Sequence, residues 1–276
     1  MSQPSQAVLY MQGTFDLANP TPAQIDQMVA AANQINTLGY TTVILGQWHV
    51  HADGSLYYNN STFNEVINQL KVLVTALKMG GGSVQKVLVT FGPFGSDFDN
   101  IAANLPAFQQ YVNGLRVMAD IDGVDWDLEQ EYTSAQADLL VELTQWATGE
   151  GMIVTAAPYE LQDTFWNPIL SRTNTAETTG FSWWNLQCYG GASYPDWVSG
   201  LGNLVPNPQS FLVPGWSAEF SSPSELQSQL ATLKQQSADL DGAFLWQYEL
   251  ASQNGHTPAE YLAAIQAGLQ ANSVKG

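Results

Sequence analysis

The sequence predicts an α/β fold, a (β/α)8 TIM barrel that forms a single domain over residues 1–276 without an inserted subdomain. Short apolar runs rich in β-branched and aromatic residues recur about every 30 to 45 residues. Helical patterns separate these runs, and neither a linker nor a low-complexity tract divides the chain. Strict alternation of strands and helices favours this closed barrel over the alternative, an open doubly wound sheet.

The predicted strands are bounded by turn residues. The eight strands cover residues 7–13, 41–48, 86–92, 123–129, 152–159, 182–189, 210–216 and 242–248. No Gly-x-Gly-x-x-Gly follows the first strand and no phosphate loop is present, so the sequence implies no nucleotide cofactor. Between Trp216 and Gly242 there is room for one helix only, and we therefore expect an open groove rather than a deep tunnel.

Caps and stop signals delimit the helices between these strands. Thr21 followed by Pro22 is typical of a helix start, and Gly39 ends that first helix. The other predicted helices cover residues 61–79, 99–119 and 134–149, followed by two that begin at the capping boxes 222–225 and 257–260. Pro106 is expected to break or kink the third helix. The fifth and sixth connections, rich in Trp, Pro and Gly, are expected to be irregular.

Composition restricts the possible partners. The 25 acidic and 7 basic residues give a formal net charge of -18, the wrong sign for binding nucleic acid or an anionic membrane. The 9 Trp and 11 Tyr residues suit flat, neutral ligands such as sugar rings, although most aromatic side chains in any domain belong to its core. We therefore expect a carbohydrate partner, and we expect the chain to be a monomer.

The sequence gives indirect indications of the compartment. Cys188 is the only cysteine, so no disulfide forms within the chain. Residues 1–5 lack the basic and apolar regions of a signal peptide, and no apolar run is long enough to cross a bilayer. We expect an extracellular protein whose signal peptide has been removed from this sequence, with a cytoplasmic protein as the alternative.

Chemistry is expected on the fourth strand, in the stretch 122–129. Side chains alternate between the two faces of a strand, so Asp125, Asp127 and Glu129 point one way while Trp126 points towards the helices. Buried carboxylates cost several kcal/mol without partners, and three of them on one face indicate a catalytic role. Glu129 lies nearest the groove, and a like-charged neighbour with partial burial is expected to raise its pKa, as a general acid requires.

This stretch resembles the signature of the family 18 glycoside hydrolases, Asp-Gly-x-Asp-x-Asp-x-Glu on the fourth barrel strand. Residues 155–158 on strand five, Gln187 to Tyr189 on strand six and Leu245-Trp246 on strand eight are similar to the compact, hevamine-like chitinases of plants and their fungal and bacterial relatives. The resemblance covers the whole barrel. One departure lies on strand three, where Thr90 must supply the hydroxyl that normally meets the deep aspartate.

The resemblance implies a role for each residue. Glu129 would protonate the glycosidic oxygen, and the acetamido carbonyl of the sugar would attack its own anomeric carbon. Asp127 would orient the acetamido group, and Asp125 would share a proton with Asp127. Tyr189 would bind the acetamido carbonyl, and Trp246 would form the floor of the sugar subsite. This chemistry needs no cofactor and no metal.

Further side chains are expected near the strand ends. The substrate-binding candidates besides Trp246 are Gln187, Tyr10, Trp216 and Tyr159. Aromatic residues at strand ends either stack on sugar rings or pack in the core, and this holds for Trp48, Tyr159, Trp216 and Tyr248. Acids expected near the rim, which either tune the groove or are only solvated, are Asp16, Glu131 and Glu160. His49 and His51 are expected to be loop residues rather than metal ligands.

The sequence therefore predicts a retaining endo-chitinase that hydrolyses β-1,4 links between N-acetylglucosamine units by substrate-assisted catalysis. Its partners would be chitin or oligosaccharides that contain N-acetylglucosamine. Two alternatives stay open: an endo-β-N-acetylglucosaminidase acting on the chitobiose core of N-glycans, and a chitinase-like lectin that binds without cutting.

Overall fold

The computed structural model describes residues 6–92, 95–129 and 132–271. The strands in these residues are β1 (Gln6–Gln12), β2 (Thr42–Val50), β3 (Leu56–Tyr58), β4 (Ser61–Thr62), β5 (Lys86–Phe91), β6 (Gly123–Trp126), β7 (Ile153–Ala156), β8 (Trp183–Gln187), β9 (Leu212–Ser217) and β10 (Gly242–Trp246). The α-helices are α1 (Pro22–Leu38), α2 (Phe63–Leu77), α3 (Asp97–Ala103), α4 (Leu105–Ala119), α5 (Ser134–Gly149), α6 (Asn167–Thr173), α7 (Tyr194–Leu201), α8 (Pro208–Phe211), α9 (Pro223–Gln236), α10 (Tyr248–Gln253) and α11 (Pro258–Leu269). A π-helical turn covers Gln162–Trp166 and a 3-10 turn covers Cys188–Gly190.

Eight parallel strands close into a barrel, as predicted. Their order is β1-β10-β9-β8-β7-β6-β5-β2, and pairing between β1 and β2 joins the two ends. In this register Thr90 of β5 lies beside Asp125 of β6, which in turn lies beside Thr155 of β7. The fold is therefore the single-domain (β/α)8 barrel, and its catalytic face is expected at the carboxyl ends of these strands.

The helices follow their predicted signals closely. Thr21 caps α1 in a capping box with Gln24, and Gly39 follows its last residue. The predicted third helix is two helices that meet at Asn104, with Pro106 in the first turn of α4. Proline is tolerated there because the first turn has no intrahelical partner for its missing N–H.

A hairpin extends one side of the barrel and was not predicted. After β2 the chain turns back as β3 and β4, both antiparallel to their neighbours. The predicted second helix consequently begins at Phe63 rather than at Ser61, with Thr62 as its cap. The ring centroid of Tyr58 lies 5.1 Å from that of Trp48, so apolar packing on β2 holds the hairpin in place.

Two apolar cores flank the barrel wall. The larger lies between strands and helices and contains Trp126, whose Nε1–H donates to the hydroxyl of Thr144 at 3.2 Å. The prediction that Trp126 points towards the helices is confirmed. The smaller core fills the barrel interior with side chains that include Val8, Tyr10 and Phe244. It supports the site from below.

The first half of the acidic stretch has a structural role. Asp122 accepts a hydrogen bond from the backbone N–H of Val87 at 2.7 Å and one from Nζ of Lys78 at 3.0 Å. A Cβ atom on Gly123 would lie 2.0 Å from the carbonyl oxygen of Ile153, so only glycine allows β6 and β7 to pair at this point. These two residues fix the strand that carries the acids.

Over residues 6–92, 95–129 and 132–271, every helix is too short or too polar to cross a bilayer.

Candidate active site

A cavity of about 410 Å³ opens at the carboxyl ends of the barrel strands. Its lining combines acids, amides and aromatic side chains: Gln12, Gln47, Asp127, Glu129, Tyr159, Gln187, Tyr189, Gly190 and Trp246. Five of the residues singled out in the sequence thus meet with Asp127 at one place: Glu129, Tyr159, Gln187, Tyr189 and Trp246.

Asp125 lies below this cavity and is fully buried. It accepts hydrogen bonds from the hydroxyl of Tyr10 at 3.0 Å, from Nδ2 of Asn185 at 3.2 Å and from the hydroxyl of Thr155. Burial raises the pKa of Asp125, and these hydrogen bonds oppose the rise. The expected donor, Thr90, lies beside Asp125 on β5, and its hydroxyl also lowers the pKa of that carboxyl. Thr155, on the other flanking strand, donates a further hydroxyl.

Asp127 and Glu129 are joined by an amide. Nε2 of Gln187 lies 3.1 Å from Oδ1 of Asp127, 3.1 Å from Oε1 of Glu129 and 2.8 Å from the carbonyl oxygen of Ala157. Burial, the charges of Glu129 and Asp125, and a hydrogen bond with Glu129 raise the pKa of Asp127 well above its usual value. A protonated Asp127 that donates to Glu129 accounts for this arrangement.

Two expectations about these acids need correction. A proton was expected between Asp125 and Asp127, but the hydrogen bonds to Asp125 come from three other side chains, and the acid that pairs with Asp127 is Glu129. Partial burial of Glu129 was also expected, whereas its side chain is exposed. Burial raises the pKa of Asp125 and Asp127 instead, and of these two Asp127, which is 3% exposed, is the one that lines the cavity.

Aromatic side chains enclose the acids on two sides. The ring of Trp246 lies 5.3 Å from that of Tyr10, and the ring of Tyr189 lies 6.1 Å from that of Phe244. Burial first, and then the neighbouring acids, raise the pKa of Tyr189, which therefore remains a neutral hydrogen-bond donor. Tyr159 lines another part of the cavity. Flat apolar faces next to hydroxyl groups suit a sugar ring.

Other candidates lie away from the cavity. Tyr10 is 2% exposed and sits beneath it with its hydroxyl on Asp125, so it positions an acid and does not contact a ligand. Trp216 is 4% exposed, faces outwards and donates from Nε1 to Gln229 of α9. Trp48 is likewise buried in the outer core. Expected substrate contacts of Tyr10 and Trp216 are thus not supported, because both side chains are enclosed by protein.

Sequence reasoning missed one wall of the cavity. Gln12, at the end of β1, and Gln47, within β2, line it, and Nε2 of Gln12 donates to Oε1 of Gln47 at 2.9 Å. The backbone N–H of Gln12 lies 3.2 Å from both carboxylate oxygens of Glu249. Burial raises the pKa of Glu249 to about 7. Polar residues at strand ends were the only available signal, since no motif marks them.

The remaining charged candidates lie outside this cluster. His49 lies 3.0 Å from Asp97, and the ring of His51 stacks on that of Tyr57 at 3.9 Å. In the described parts of the chain, no three His, Cys, Asp or Glu side chains converge on a possible metal position. Three acids were expected near the rim. Asp16 accepts a hydrogen bond from the backbone N–H of Ala18 in its own loop, and Glu160 is exposed. Glu131 lies outside the described residues.

Solved protein structures resemble this barrel over most of its length. A chitinase from Aspergillus fumigatus matches with a TM-score of 0.64 and 18% identity, over 88% of this chain and 91% of that chain. A fungal endo-β-N-acetylglucosaminidase from glycosyl hydrolase family 18 matches with a TM-score of 0.63 and 19% identity, over 96% and 98%. A chitinase-like agglutinin from Robinia pseudoacacia matches with a TM-score of 0.66 and 11% identity, over 95% and 99%.

No protein-family model matches the chain, and no curated protein matches it. At identities of 11% to 19%, the structural likeness establishes the barrel fold that these proteins share with this chain.

Proposed function

We propose that this chain is a retaining endo-chitinase of the family 18 type, with one catalytic barrel domain over residues 1–276. It would hydrolyse β-1,4 links between N-acetylglucosamine units by substrate-assisted catalysis. The observation that carries the proposal is the hydrogen-bonded pair of Asp127 and Glu129, held by Gln187 in a cavity bounded by Trp246 and Tyr189.

The acid pair supplies one proton in the first step. The raised pKa of Asp127 favours a proton held between the two carboxyls, and Glu129, the exposed partner, faces the cavity. Glu129 delivers this proton to the glycosidic oxygen, and the bond from that oxygen to the anomeric carbon breaks. The leaving sugar departs as an alcohol, and the pair is left with one more negative charge.

The substrate supplies the nucleophile. The acetamido carbonyl oxygen attacks the anomeric carbon of its own ring and forms a cyclic oxazolinium ion. Asp127, now ionised, accepts a hydrogen bond from the acetamido N–H and offsets the positive charge, while the neutral Tyr189 hydroxyl donates to the acetamido oxygen. Water then opens the ring and returns a proton to Glu129. Two displacements at one carbon retain the anomeric configuration.

Several further findings support this assignment. Trp246 offers a flat surface in the same cavity as the acids, as a sugar subsite requires. Two of the similar structures are a chitinase and a family 18 endo-β-N-acetylglucosaminidase. The connection between β9 and β10 holds the single helix α9, and this absence of an inserted subdomain among the described residues favours endo action on a polymer. Such a polymer substrate is compatible with a monomeric, extracellular enzyme.

Replacement of Glu129 with Gln tests the proposal. The amide cannot deliver a proton, so hydrolysis of N-acetylglucosamine tetramers should fall on the order of 10² to 10⁴-fold while binding persists. Glu177→Gln changes an exposed acid before β8 and serves as the matched control, with wild-type activity expected. Wild-type turnover by Glu129→Gln would refute the proposed mechanism.

The N-glycan alternative has one finding in its favour, the likeness to a family 18 endo-β-N-acetylglucosaminidase at 19% identity. The same acid pair would serve both reactions, since both cleave beside a 2-acetamido sugar. A product assay that offers chitin oligomers and a high-mannose glycoprotein side by side distinguishes the two. Release of the glycan, with the oligomers left intact, would replace the chitinase assignment.

A lectin function is suggested by the likeness to an agglutinin at 11% identity. Glu129 and the amide of Gln187 that holds it are both in place, which favours turnover over binding alone. A fluorogenic chitobioside gives a direct answer. Tight binding without release of the fluorophore would support the lectin.

A further inference from the structure

One wall of the cavity is formed by amides that the proposed reaction does not use. Gln12 ends β1 and Gln47 lies in β2. In the strand order of the barrel, β1 and β2 lie across from β7 and β8, and Gln187 ends β8. A ligand in the cavity therefore meets the acids and Gln187 on one side and the two amides on another.

Gln12 is fixed from two directions. Its backbone N–H points at the carboxylate of Glu249, with both oxygens at 3.2 Å, and its side-chain Nε2 donates to Oε1 of Gln47 at 2.9 Å. Gln47 itself is 4% exposed. After these contacts, Oε1 of Gln12 can still accept and Nε2 of Gln47 can still donate. No protein partner for either atom occurs among the described residues.

Glu249 is a partly buried acid without a basic partner among the described residues. Two ionisable groups interact electrostatically with Glu249: the phenols of Tyr58, on β3, and of Tyr248, its neighbour on α10. The charge of Glu249 raises the pKa of both phenols. From α11, which also packs on α10, Glu260 faces His256 at 4.0 Å. Within the described ranges no Lys, Arg or His forms an ion pair with Glu249. Two backbone N–H groups stabilise its charge, that of Glu249 itself and that of Gln12, and burial outweighs both, so the pKa of Glu249 rises to about 7.

We infer that Glu249 is a positioning residue, which holds Gln12 and Gln47 as an amide pair that binds a hydroxyl group of the sugar lying against Trp246. The inference rests on the proposed function and names a further part of that site. A sugar hydroxyl donates one hydrogen bond and accepts others. The free acceptor of Gln12 and the free donors of Gln47 match that requirement in a neutral ligand.

Calorimetry in the inactive Glu129→Gln background tests the pair. The probe is the N-acetylglucosamine tetrasaccharide at pH 8, where Glu249 is ionised. Glu249→Ala and Gln47→Leu should each weaken binding about three- to tenfold, the worth of one or two hydrogen bonds. Both substitutions disrupt the same amide pair of Gln12 and Gln47. The double variant should therefore bind no more weakly than the weaker-binding single variant. Glu249→Gln keeps one acceptor for Gln12 and should restore binding.

The control is Glu219→Ala, an exposed acid after β9, which should bind as the parent does. Additive losses in the double variant, or unchanged binding by Glu249→Ala, would overturn the inference. A melting curve for each variant shows whether a loss of binding reflects unfolding, and Glu249→Gln, which preserves shape, decides the matter if Glu249→Ala does not fold.

A second measurement does not depend on the substrate. In an NMR titration the backbone amide signal of Gln12 should move with a midpoint near pH 7 in the wild type and stay fixed in Glu249→Gln. A fixed signal in the wild type would overturn the positioning role. If the tetrasaccharide does not bind at all, the proposed function and the sugar contact fail together, while a titrating Gln12 signal still supports the link between Glu249 and Gln12.

Discussion

Nε2 of Gln187 lies 3.1 Å from Oδ1 of Asp127, although Gln187 ends β8 and Asp127 follows β6, with β7 between these two strands. The same nitrogen reaches the carbonyl oxygen of Ala157, just after β7, at 2.8 Å. The amide therefore spans the gap between the strands and holds Asp127 by one oxygen. This contact restricts rotation of the carboxyl that pairs with Glu129.

Replacement of Gln187 with Leu removes this donor at similar volume. The hydrogen bond from Gln187 lowers the pKa of Asp127, so its loss should raise that pKa further. The alkaline limb of the profile of kcat/KM against pH, where the acid pair loses its proton, should then shift to higher pH, and kcat should fall about tenfold or more. Gln145→Leu on the exposed face of α5 is the control. An unshifted pH profile for Gln187→Leu would show that the amide of Gln187 does not control the pKa of the acid pair.

Replacement of Tyr10 with Phe removes one of the donors to Asp125 without changing the apolar packing. The pKa of Asp125 should rise, and kcat should fall about three- to tenfold with little change in KM, because Tyr10 does not contact the ligand. Tyr40→Phe is the matched control, since Tyr40 is also buried and donates its hydroxyl to the carbonyl oxygen of Pro258 at 2.8 Å.

Both phenylalanine variants should lose about 1 kcal/mol of unfolding free energy, since each leaves a buried acceptor with one donor fewer. Only Tyr10→Phe should lower kcat. Equal kcat values for the two variants would contradict the role assigned to Tyr10.

The barrel and the acids could be predicted because their signals are local. The alternation of Asp125, Asp127 and Glu129 with apolar residues sets their common face, and caps such as Thr21 set the helix starts. The role of Tyr10 was less accessible. Tyr10 was expected to contact the ligand, but its side chain is 2% exposed and its ring packs against that of Trp246, which lines the cavity.

Features that depend on contacts between distant segments could not be predicted. Glu249 meets the backbone of Gln12 across 237 positions of sequence, and no pattern near either residue indicates this. The proton pairing was misjudged for a similar reason. Asp125 and Asp127 are neighbours on one face, yet Asn185 and Thr155, from other strands, both donate to Oδ1 of Asp125, and the acid that pairs with Asp127 is Glu129.

Two tryptophan variants distinguish a side chain that lines the cavity from one that packs in the outer core. Trp246→Leu removes a flat face from the cavity, so kcat/KM on N-acetylglucosamine tetramers should fall roughly tenfold. Trp216→Leu should leave KM unchanged, because its ring packs outside the barrel against α9, but it should cost about 2 to 4 kcal/mol of unfolding free energy. Steady-state kinetics and urea unfolding of both variants measure these effects. A raised KM for Trp216→Leu would show that Trp216 contributes to substrate binding.

The acid Glu249 should make stability depend on pH. Its pKa is about 7 in the folded chain and close to the ordinary value of 4.5 when unfolded. The folded state therefore binds more protons between these values, and the contribution of Glu249 to the unfolding free energy decreases as the pH rises through this window. Below pH 4.5 the contribution is absent, and above pH 7 the full cost of the buried charge remains.

Glu249→Gln removes that charge and keeps an acceptor for the N–H of Gln12. The variant should match the wild type at pH 4.5 and be more stable at pH 8, by at most about 3 kcal/mol. Urea unfolding at both pH values measures the difference, with Glu177→Gln as an exposed control that should show none. The comparison of variant with wild type cancels the titration of Asp125 and Asp127. A difference that is the same at both pH values would show that folding does not shift the pKa of Glu249.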